Sequence, residues 1–233
     1  MTPAFDLAAL GLLVAAAVAT VVVVFAVTLG VARAAGRHSV VDVTWGLGFV
    51  AVAVVAFAAT GVLGVGDGVV RTTVLALVAV WGLRLAIHIG WRNHGKGEDP
   101  RYAEMLGDDH PPGAMTAYVV RKVYLPQAGV MLVVSLPVLA AMVRDATVLP
   151  LVVAGAAVWL VGFVFESVGD AQLAAFKAKP ENRGTVLDTG LWRYTRHPNY
   201  FGDACVWWGV FVVSAGHPLA LAGAVGPLLM TYL

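Results

Sequence analysis

The stretch Gly190 to Asp203 reads Gly-Leu-Trp-Arg-Tyr-Thr-Arg-His-Pro-Asn-Tyr-Phe-Gly-Asp and leads directly into the apolar run Ala204 to Ala215. It places charged, hydrogen-bonding and aromatic side chains against a segment whose composition otherwise suits lipid. Such groups are costly to hold in hydrocarbon unless they are paired or bind something. We therefore expect the chemistry of this protein to be centred on this stretch.

Pro198 indicates where a helix begins in this stretch. Proline suits the first turn of a helix because its φ angle is already fixed and its missing N–H would have no partner there, so the helix is predicted to start near His197. Helical spacing then puts several polar residues on one face. They are Arg196, Tyr200 and Asp203, with Asn199 one turn before Asp203. Because the N–H groups of a helix start attract anions and Arg193 lies just upstream, a ligand with phosphate groups fits this end.

A simpler alternative is an interfacial belt. The arginines would then contact lipid headgroups, and the rings of Trp192, Tyr194 and Tyr200 would lie at the membrane boundary. This alternative leaves Asn199 and Asp203 without an explanation.

The composition of the whole chain indicates its class. Of 233 residues, 60% are hydrophobic and only 12% are charged, which is far from the balance of a soluble domain. The sequence predicts an all-α integral membrane protein. Residues 1–233 are expected to form a single transmembrane domain, because no polar stretch is long enough to bury a core of its own. The single cysteine, Cys205, excludes an internal disulfide.

Apolar runs predict about seven transmembrane helices, at about 20 residues per crossing. The runs are Leu7 to Ala32, Val41 to Leu63, Val69 to Trp91, Ala117 to Val143, Val148 to Gly169, Pro198 to Ala215 and Pro218 to Leu233. The last run is short and ends with the sequence, so we expect a C-terminal tail to be missing. Basic residues concentrate in alternate connections, around Arg33, Lys96 and Lys177. The positive-inside rule makes these connections cytoplasmic and the N-terminus external.

A series of charged and titratable residues lies in the third predicted span. Arg84, His88 and Arg92 are four residues apart and therefore share one face. Arg84 lies about 12 Å from the helix end at 1.5 Å per residue, where an unpaired arginine costs at least ~2.5 kcal/mol, so it should be paired. The available carboxylates are Asp42, Glu166 and Asp203. The pair could be purely structural, or it could border a cavity open to the cytoplasm, because the polar groups of all the spans gather in their cytoplasmic halves.

The connection Asn93 to Tyr102 combines two glycines with several charged residues. Glycine lets a backbone approach a ligand closely, and Lys96 and Arg101 can contact phosphate. An ordinary solvated loop has a similar composition, so both interpretations remain open. The Asp-Asp-His sequence at 108–110 precedes Pro-Pro-Gly, which is a turn signal, and it lacks the spacing of metal ligands. We expect a solvated turn there and no metal site.

The stretch Gly190 to Asp203 resembles the C-terminal signature of the steroid 5α-reductase superfamily, most closely that of its bacterial membrane branch. Isoprenylcysteine carboxyl methyltransferases carry a similar Arg-His-Pro-x-Tyr element. The resemblance implies a bacterial inner (plasma) membrane protein with a cofactor site toward the cytoplasm. Residues that match the spacing of nucleotide contacts in the 5α-reductases are Glu166, Asp170 and Lys177, and those that match the Asn-x-x-x-acid element are Asn199 and Asp203. Two residues of the steroid enzymes have no match here, namely the glutamate that orients the enone and the tyrosine that protonates it. Asp42 is a loose candidate for the acid, and Trp81 falls about where the tyrosine would be.

We expect an NADPH-dependent reductase of a carbon–carbon double bond in a lipid, either steroid-like or a fatty-acyl or isoprenoid chain. Hydride addition requires a nicotinamide held against the substrate, a group that polarises the conjugated carbonyl, and a proton donor. The residues expected to bind the cofactor are Arg84, Arg92, Lys96, Arg101, Glu166, Asp170, Lys177, Arg193, Tyr194, Arg196, His197, Asn199 and Asp203. The catalytic candidates are Tyr102, Tyr124 and Tyr200 as proton donors, and Asp42.

Two other functions remain open. The Arg-His-Pro-x-Tyr element also fits a lipid methyltransferase that uses S-adenosylmethionine, although that cofactor has no phosphates and needs fewer basic groups. A non-catalytic lipid-binding subunit would use the charges only to lock its helices together. In each case the expected partner is a lipid within the bilayer, and no nucleic-acid partner is predicted.

Overall fold

The computed structural model describes residues 5–106 and 114–233, and within these ranges the chain is helical and has no β-strand. The α-helices are α1 (Leu7–Ala35), α2 (Val40–Leu63), α3 (Gly68–Asn93), α4 (Pro100–Leu106), α5 (Ala114–Val119), α6 (Leu125–Val134), α7 (Leu136–Met142), α8 (Leu149–Lys177), α9 (Pro198–Ser214) and α10 (Val225–Tyr232). The predicted all-α class is confirmed for these residues. The turn predicted at 108–110 lies outside them.

Among the described residues, five helices are long and apolar enough to cross a membrane, so the chain is a multi-pass membrane protein. They are α1, α2, α3, the helix Met115–Met142 that includes α6 and α7, and α8. The predicted count of seven is not confirmed. α9 has 17 residues, and the apolar segment Pro218–Tyr232 consists of a 3₁₀ turn followed by the eight residues of α10. Both are shorter than the roughly 20 helical residues that cross the hydrocarbon core.

Side-chain caps fix the starts of two long helices. The Asp6 carboxylate accepts a hydrogen bond from the Ala9 N–H at 2.8 Å, and the Asp67 carboxylate accepts one from the Val70 N–H at 3.0 Å. Both bonds satisfy N–H groups that the first helical turn leaves unpaired. α1 ends at Ala35 and is capped by Gly36, whose φ of 64° lies in the left-handed region that glycine adopts without strain.

The helix Met115–Met142 is interrupted twice near prolines. Residues Val120–Tyr124 form a π-helical turn just before Pro126, and Ser135 separates α6 from α7 just before Pro137. Proline has no N–H to donate to the preceding turn and its ring clashes with a carbonyl there, so helices bend at such positions. As a result α6 packs on α1 and α10, whereas α7 packs on α3 and α9.

Glycines bring α8 and α9 into close antiparallel contact. Gly155, Gly162 and Gly169 recur every seven residues on α8, and Gly202 and Gly209 face them from α9. A Cβ atom at Gly155 would lie 2.6 Å from the Gly209 carbonyl oxygen. Small residues permit such close packing of helices in a membrane. The contact brings the polar residues of α8 beside those at the start of α9.

An aromatic cluster fills the interior next to this contact. Phe49, Trp81 and Trp207 come from α2, α3 and α9 and are fully buried. Their ring centroids lie 4.5 to 5.7 Å apart in tilted or edge-to-face pairs. Such pairs stabilise a core by about 0.5–1.5 kcal/mol each beyond the burial of their area. The aromatic cluster therefore forms a packed apolar core next to the polar residues.

The two ends of the bundle differ in charge. Most basic residues lie at the end where α1, α3 and α8 finish and α2 and α9 begin, and we call it the basic end. At the opposite end, the Asp67 N–H donates to the Arg144 carbonyl oxygen at 2.6 Å, and Phe5 pairs with Arg144 through an isolated β-bridge. The polar groups described next lie in the basic-end half.

Candidate functional site

Arg84 is the centre of a polar cluster between α3 and α8. Its guanidinium lies 2.9 Å from Glu166 Oε1 and 2.7 Å from Asp170 Oδ2, and the three side chains are only 5% to 18% exposed. Nη2 of Arg84 also donates to the Glu166 carbonyl oxygen at 3.2 Å. Arg84 is therefore paired, as the sequence predicted. Asp170 was not among the expected partners, because the spacing along one helix does not show which neighbouring helix it faces.

Donors from α3 and α9 complete the hydrogen bonding of these two carboxylates. The Trp81 indole N–H donates to Glu166 Oε2 at 2.8 Å. Asn199 Nδ2 donates to Asp170 Oδ1 at 3.3 Å, and His88 Nε2 lies 3.9 Å from Asp170 Oδ2. Both carboxylates are thus satisfied by protein groups alone.

Asp203 is the third carboxyl group of this region and the one without an ion pair to a described residue. It lies one helical turn beyond Asn199 and within electrostatic range of Glu166, Asp170 and Arg84. Its Oδ1 atom is enclosed and has no hydrogen-bond partner among the described residues, and the same holds for Asn199 Oδ1. One arginine therefore lies near three carboxyl groups and forms ion pairs with two of them. We call Arg84, Glu166, Asp170, Asn199 and Asp203 the Arg84 cluster.

A cleft of about 560 Å³ opens beside Asp203, between α2, α9 and α10. We call it the α9 cleft. Its lining residues are Trp45, His197, Tyr200, Phe201, Asp203, Ala204 and the segment Met230 to Leu233. The walls are mostly apolar or aromatic and carry a few polar groups, which is typical of a pocket for a partly apolar ligand.

Exposed cations lie next to this cleft in the chain. Arg196 immediately precedes the lining residue His197, and Arg193 ends the 3₁₀ turn just before it. Both are exposed, and neither forms an ion pair with any residue that the structure describes. Lys177, at the end of α8, is also exposed. Cations without partners beside a helix start suit a ligand that carries phosphate.

Asp42 and Tyr102 form a second polar group at the basic end. The Tyr102 hydroxyl donates to Asp42 Oδ1 at 2.6 Å, while Arg101 lies 3.3 Å from Asp42 Oδ2 and 3.0 Å from Asp99 Oδ2. We call these four residues the Asp42 cluster. Tyr102 is buried, and this burial together with the Asp42 carboxylate raises the pKa of Tyr102 well above its usual value. Its hydroxyl therefore stays protonated at neutral pH and is occupied by Asp42.

Glu98 fastens the connection between α3 and α4 to the start of α2. Its carboxylate accepts hydrogen bonds from the backbone N–H groups of His38 and Ser39. Burial raises the pKa of Glu98, but these hydrogen bonds outweigh burial and leave that pKa below its usual value. Arg37 Nη1 also donates to the Lys96 carbonyl oxygen at 2.8 Å. Protein groups thus hold the loop that the sequence offered as a phosphate site, although the Lys96 side chain is exposed.

The structure distributes most of the predicted site residues over four environments. The Arg84 cluster contains Arg84, Glu166, Asp170, Asn199 and Asp203. The α9 cleft is lined by His197, Tyr200 and Asp203. The Asp42 cluster contains Asp42, Arg101 and Tyr102. The exposed surface carries Arg92, Lys96, Lys177, Arg193, Tyr194 and Arg196.

Tyr124 lies apart from all four. Its ring packs edge-on against Phe25 and His38, with centroids 5.9 and 6.3 Å away. Its hydroxyl is enclosed and has no partner among the described residues. Because Tyr124 does not line the α9 cleft, its position gives no support to a role as proton donor there.

Sequence reasoning missed two features of this region. The Trp81 bond to Glu166 could have been inferred, since Trp81 lies three residues before Arg84 on the same helix face. The packing of α10 against α9 could not have been inferred, because it depends on the 3₁₀ turn that reverses the chain. In this contact the Trp208 indole N–H donates to Thr231 Oγ1 at 3.0 Å.

Two features of the α9 cleft could hold a nucleotide cofactor. Asp203 lines the cleft and forms no ion pair with a described residue, and a carboxyl group can bond to a ribose hydroxyl or a carboxamide as acceptor or donor. Arg193 and Arg196 are available for phosphate. The satisfied carboxylates of Glu166 and Asp170 are less suitable as direct contacts, because a ligand would have to displace Arg84.

Comparison with known proteins identifies one family. A family model described as "Protein of unknown function (DUF1295)" matches residues 24–233, which is all of the chain except its first 23 residues. No curated protein and no solved structure matches the chain.

Proposed function

We propose a function on the premise that the chain belongs to the DUF1295 family, which is related to steroid 5α-reductase-like membrane proteins. In this proposal the protein is a membrane-embedded, NADPH-dependent reductase of a carbon–carbon double bond in a lipid. One observation carries the proposal. A half-buried carboxyl group, that of Asp203, lines a largely apolar cleft beside two exposed arginines, Arg193 and Arg196, and none of these three residues forms an ion pair with another described residue.

The cations would bind the charged part of the nucleotide. Arg193 and Arg196 each present a planar guanidinium that can form two parallel hydrogen bonds to one phosphate. Lys177, at the end of α8, adds a third exposed charge at the same end of the bundle. When bound, NADPH supplies the hydride that reduces the double bond.

The lipid would lie in the apolar part of the α9 cleft. Phe201 and Ala204 on α9 and Met230 on α10 line this part, so an acyl chain or ring system would pack against apolar side chains there. A site closed to water strengthens the electrostatic interactions of Asp203 with a bound ligand. The rings of His197 and Tyr200, stacked with centroids 5.1 Å apart, form a flat wall near the arginines.

The basic end would face the cytoplasm. The positive-inside rule assigns clusters of lysine and arginine to that side, and the cytoplasm is where a nucleotide cofactor is found. The substrate would then enter sideways from the bilayer while the cofactor enters from the cytoplasmic end. Proteolysis of the exposed segment around Arg183, in sealed right-side-out and inverted vesicles, would test this orientation.

Ligand-dependent thermal stabilisation tests the proposed cofactor. The full chain in lipid nanodiscs would be heated with NADPH, NADH or S-adenosylmethionine. A ligand present at 100 times its Kd stabilises a protein by about 2.7 kcal/mol, so NADPH should raise the Tm clearly. NADH, which lacks the 2′-phosphate, should raise it less.

A methyltransferase is the second candidate, and the aromatic wall of the cleft favours it. Trp45, His197 and Tyr200 line the cleft together with the Asp203 carboxyl, and aromatic faces attract cations such as a sulfonium. Stabilisation by S-adenosylmethionine and not by NADPH would replace the reductase with this function. Stabilisation by neither would favour a non-catalytic lipid-binding subunit.

A further inference from the structure

We infer that Asp203 carries a proton in the free protein, shares it with Asn199, and is the acid that faces a ligand in the α9 cleft. This inference deepens the proposed function and rests on it for the identity of the ligand. It concerns the step that hydride transfer leaves open, namely which group supplies the proton.

The count of charges is the first argument. Arg84 is bonded to Glu166 at 2.9 Å and to Asp170 at 2.7 Å, so its single charge is divided between two carboxylates. Three ionised carboxylates beside one guanidinium would leave a net charge of about −2 in a largely buried site, which is strongly unfavourable. Glu166 and Asp170 are held by Arg84, whereas Asp203 forms no ion pair with a described residue, so a proton on Asp203 removes a charge without breaking an ion pair.

No second cation forms an ion pair with Asp203 among the described residues. Arg193 and Arg196 lie beside the cleft, but both are exposed to solvent and neither pairs with a carboxyl group of the Arg84 cluster. On α3 the titratable groups of this region are Arg84 and His88, and His88 lies 3.9 Å from Asp170. On the helix of Asp203 itself, His197 is stacked on Tyr200. The residues that α2 and α10 contribute to the cleft wall include Trp45 and Tyr232, and neither side chain is a cation.

The count of hydrogen-bond donors is the second argument, and it is independent of charge. Asn199 Nδ2 donates to Asp170 Oδ1 at 3.3 Å, and this bond fixes which way the amide points. The amide oxygen is then an enclosed acceptor without a donor, and so is Asp203 Oδ1, one turn further along the same face. The Trp207 indole N–H, one turn beyond Asp203, is a donor within reach of the Asp203 carboxyl group, but no described donor serves the Asn199 amide oxygen. A proton on Asp203 supplies a donor on the same helix face for that oxygen.

Asp203 lies where its proton could be transferred to a ligand. Asp203 belongs to the Arg84 cluster and also lines the α9 cleft. In the reduction of a double bond, the bound cofactor would supply a hydride, whose electron pair forms one C–H bond. The π pair would form the second C–H bond with the proton that leaves Asp203. The Asp203 carboxylate would then regain a proton from the aqueous phase at the basic end.

Infrared spectroscopy tests the protonation state directly. The full chain, with aspartate labelled with ¹³C at the side-chain carboxyl, would be measured in lipid nanodiscs at neutral pH. We expect a carbonyl band of a protonated carboxylic acid that shifts with the label and disappears in Asp203→Asn. The band should persist in Asp145→Asn, a matched control at an exposed aspartate near the opposite end. Asn199→Ala should shift the band without removing it, because the O–H group then loses its acceptor.

Two outcomes would overturn the inference. Absence of the band in the wild-type protein, or a spectrum of Asp203→Asn in this region that is unchanged from the wild type, would mean that Asp203 is ionised. Asp203→Glu should restore a band of this type in protein labelled at glutamate instead, which separates loss of the proton from misfolding. The proposed function is judged separately by the NADPH titration. A protonated Asp203 in a protein that does not bind NADPH would leave the inference standing and remove the reductase.

Discussion

Arg84 Nη2 lies 2.7 Å from Asp170 Oδ2, and this contact joins the basic-end halves of α3 and α8. The same guanidinium also binds Glu166, which accepts a hydrogen bond from Trp81 of the aromatic cluster. The Arg84 cluster therefore has two consequences. It fixes helix positions within the bundle, and it leaves Asp203 as the carboxyl group available to a ligand.

Replacing Arg84 should destabilise the protein strongly. Arg84→Met leaves two largely buried carboxylates without their cation, which costs about 3–5 kcal/mol, and the loss would be measured as a lower Tm in nanodiscs. Adding Glu166→Gln and Asp170→Asn should recover part of it, because removing both partners leaves no uncompensated charge. Arg92→Met, at an exposed site on the same helix, should change stability by only about 0.5 kcal/mol. Equal effects of Arg84→Met and Arg92→Met would contradict a structural role for the cluster.

The α8–α9 contact should be sensitive to a single methyl group. Gly162 is buried, and a Cβ there would lie 2.6 Å from the Val206 backbone nitrogen, so Gly162→Ala must push the helices apart. Overpacking of this kind costs about 1–3 kcal/mol, and the Tm should fall accordingly. Gly11→Ala on α1, where nothing lies within 4 Å of the added atom, is the matched control and should not lower the Tm. A neutral Gly162→Ala would show that the helices are not held this closely.

The Glu98 bond to the start of α2 predicts a pH-dependent loss of stability. Because the folded-state pKa of Glu98 is lowered, its contribution is present above the unfolded pKa of about 4.3 and is lost as the pH falls through the folded pKa. Glu98→Gln should therefore lower stability at pH 7 by about 1 kcal/mol, the size of a helix cap. The difference from wild type should shrink as the pH falls below 4. Glu104→Gln, at an exposed position on α4, should show no such trend, and a pH-independent difference for Glu98→Gln would exclude the cap.

Composition and spacing predicted the class of the protein and several of its helix starts, because both are local properties. The apolar run and the proline predicted helix starts at Leu7 and near His197, and helices begin at Leu7 and Pro198. The number of spans could not be read in the same way. Whether an apolar run of 15 to 17 residues crosses the bilayer depends on its neighbours and tilt, and a 3₁₀ turn inside the run Pro218–Tyr232 leaves no sequence signal that distinguishes it from a helix.

The pairing of side chains was harder to predict than their helix faces. The spacing of Glu166 and Asp170 placed both on one side of α8, but it did not show that Arg84 would bind both. Asp42 and Tyr102 were each selected as catalytic candidates without any expectation that they touch, although they are hydrogen-bonded at 2.6 Å. Contacts between residues far apart in sequence depend on helix rotation, which a single sequence specifies only weakly.

The two candidate proton donors can be separated by their effect on turnover. With NADPH and a long-chain α,β-unsaturated ketone as probe, Asp203→Asn should lower kcat by about 10² to 10⁴, the usual contribution of a general acid. Tyr102→Phe should keep kcat within about tenfold, because it loses only a hydrogen bond to Asp42, worth about 1 kcal/mol. The reverse order would assign the proton to the Asp42 cluster, and Tyr200→Phe at the cleft wall is the third variant to compare.

Nucleotide binding should depend on the start of α9. Arg196→Ala removes a cation beside the cleft, and a charge-assisted hydrogen bond is worth about 1.5–3 kcal/mol, so the Kd for NADPH should rise by about tenfold to a hundredfold. Asn199→Ala should also weaken binding, by less, because it acts partly through Asp203. Membrane insertion should be intact in both variants, as judged by yield and size-exclusion profile. Arg121→Ala, at an exposed arginine on another helix, should bind NADPH normally. Wild-type affinity in both Arg196→Ala and Asn199→Ala would move the nucleotide away from this stretch of the chain, and with it the reason for holding these charges so close to the bilayer.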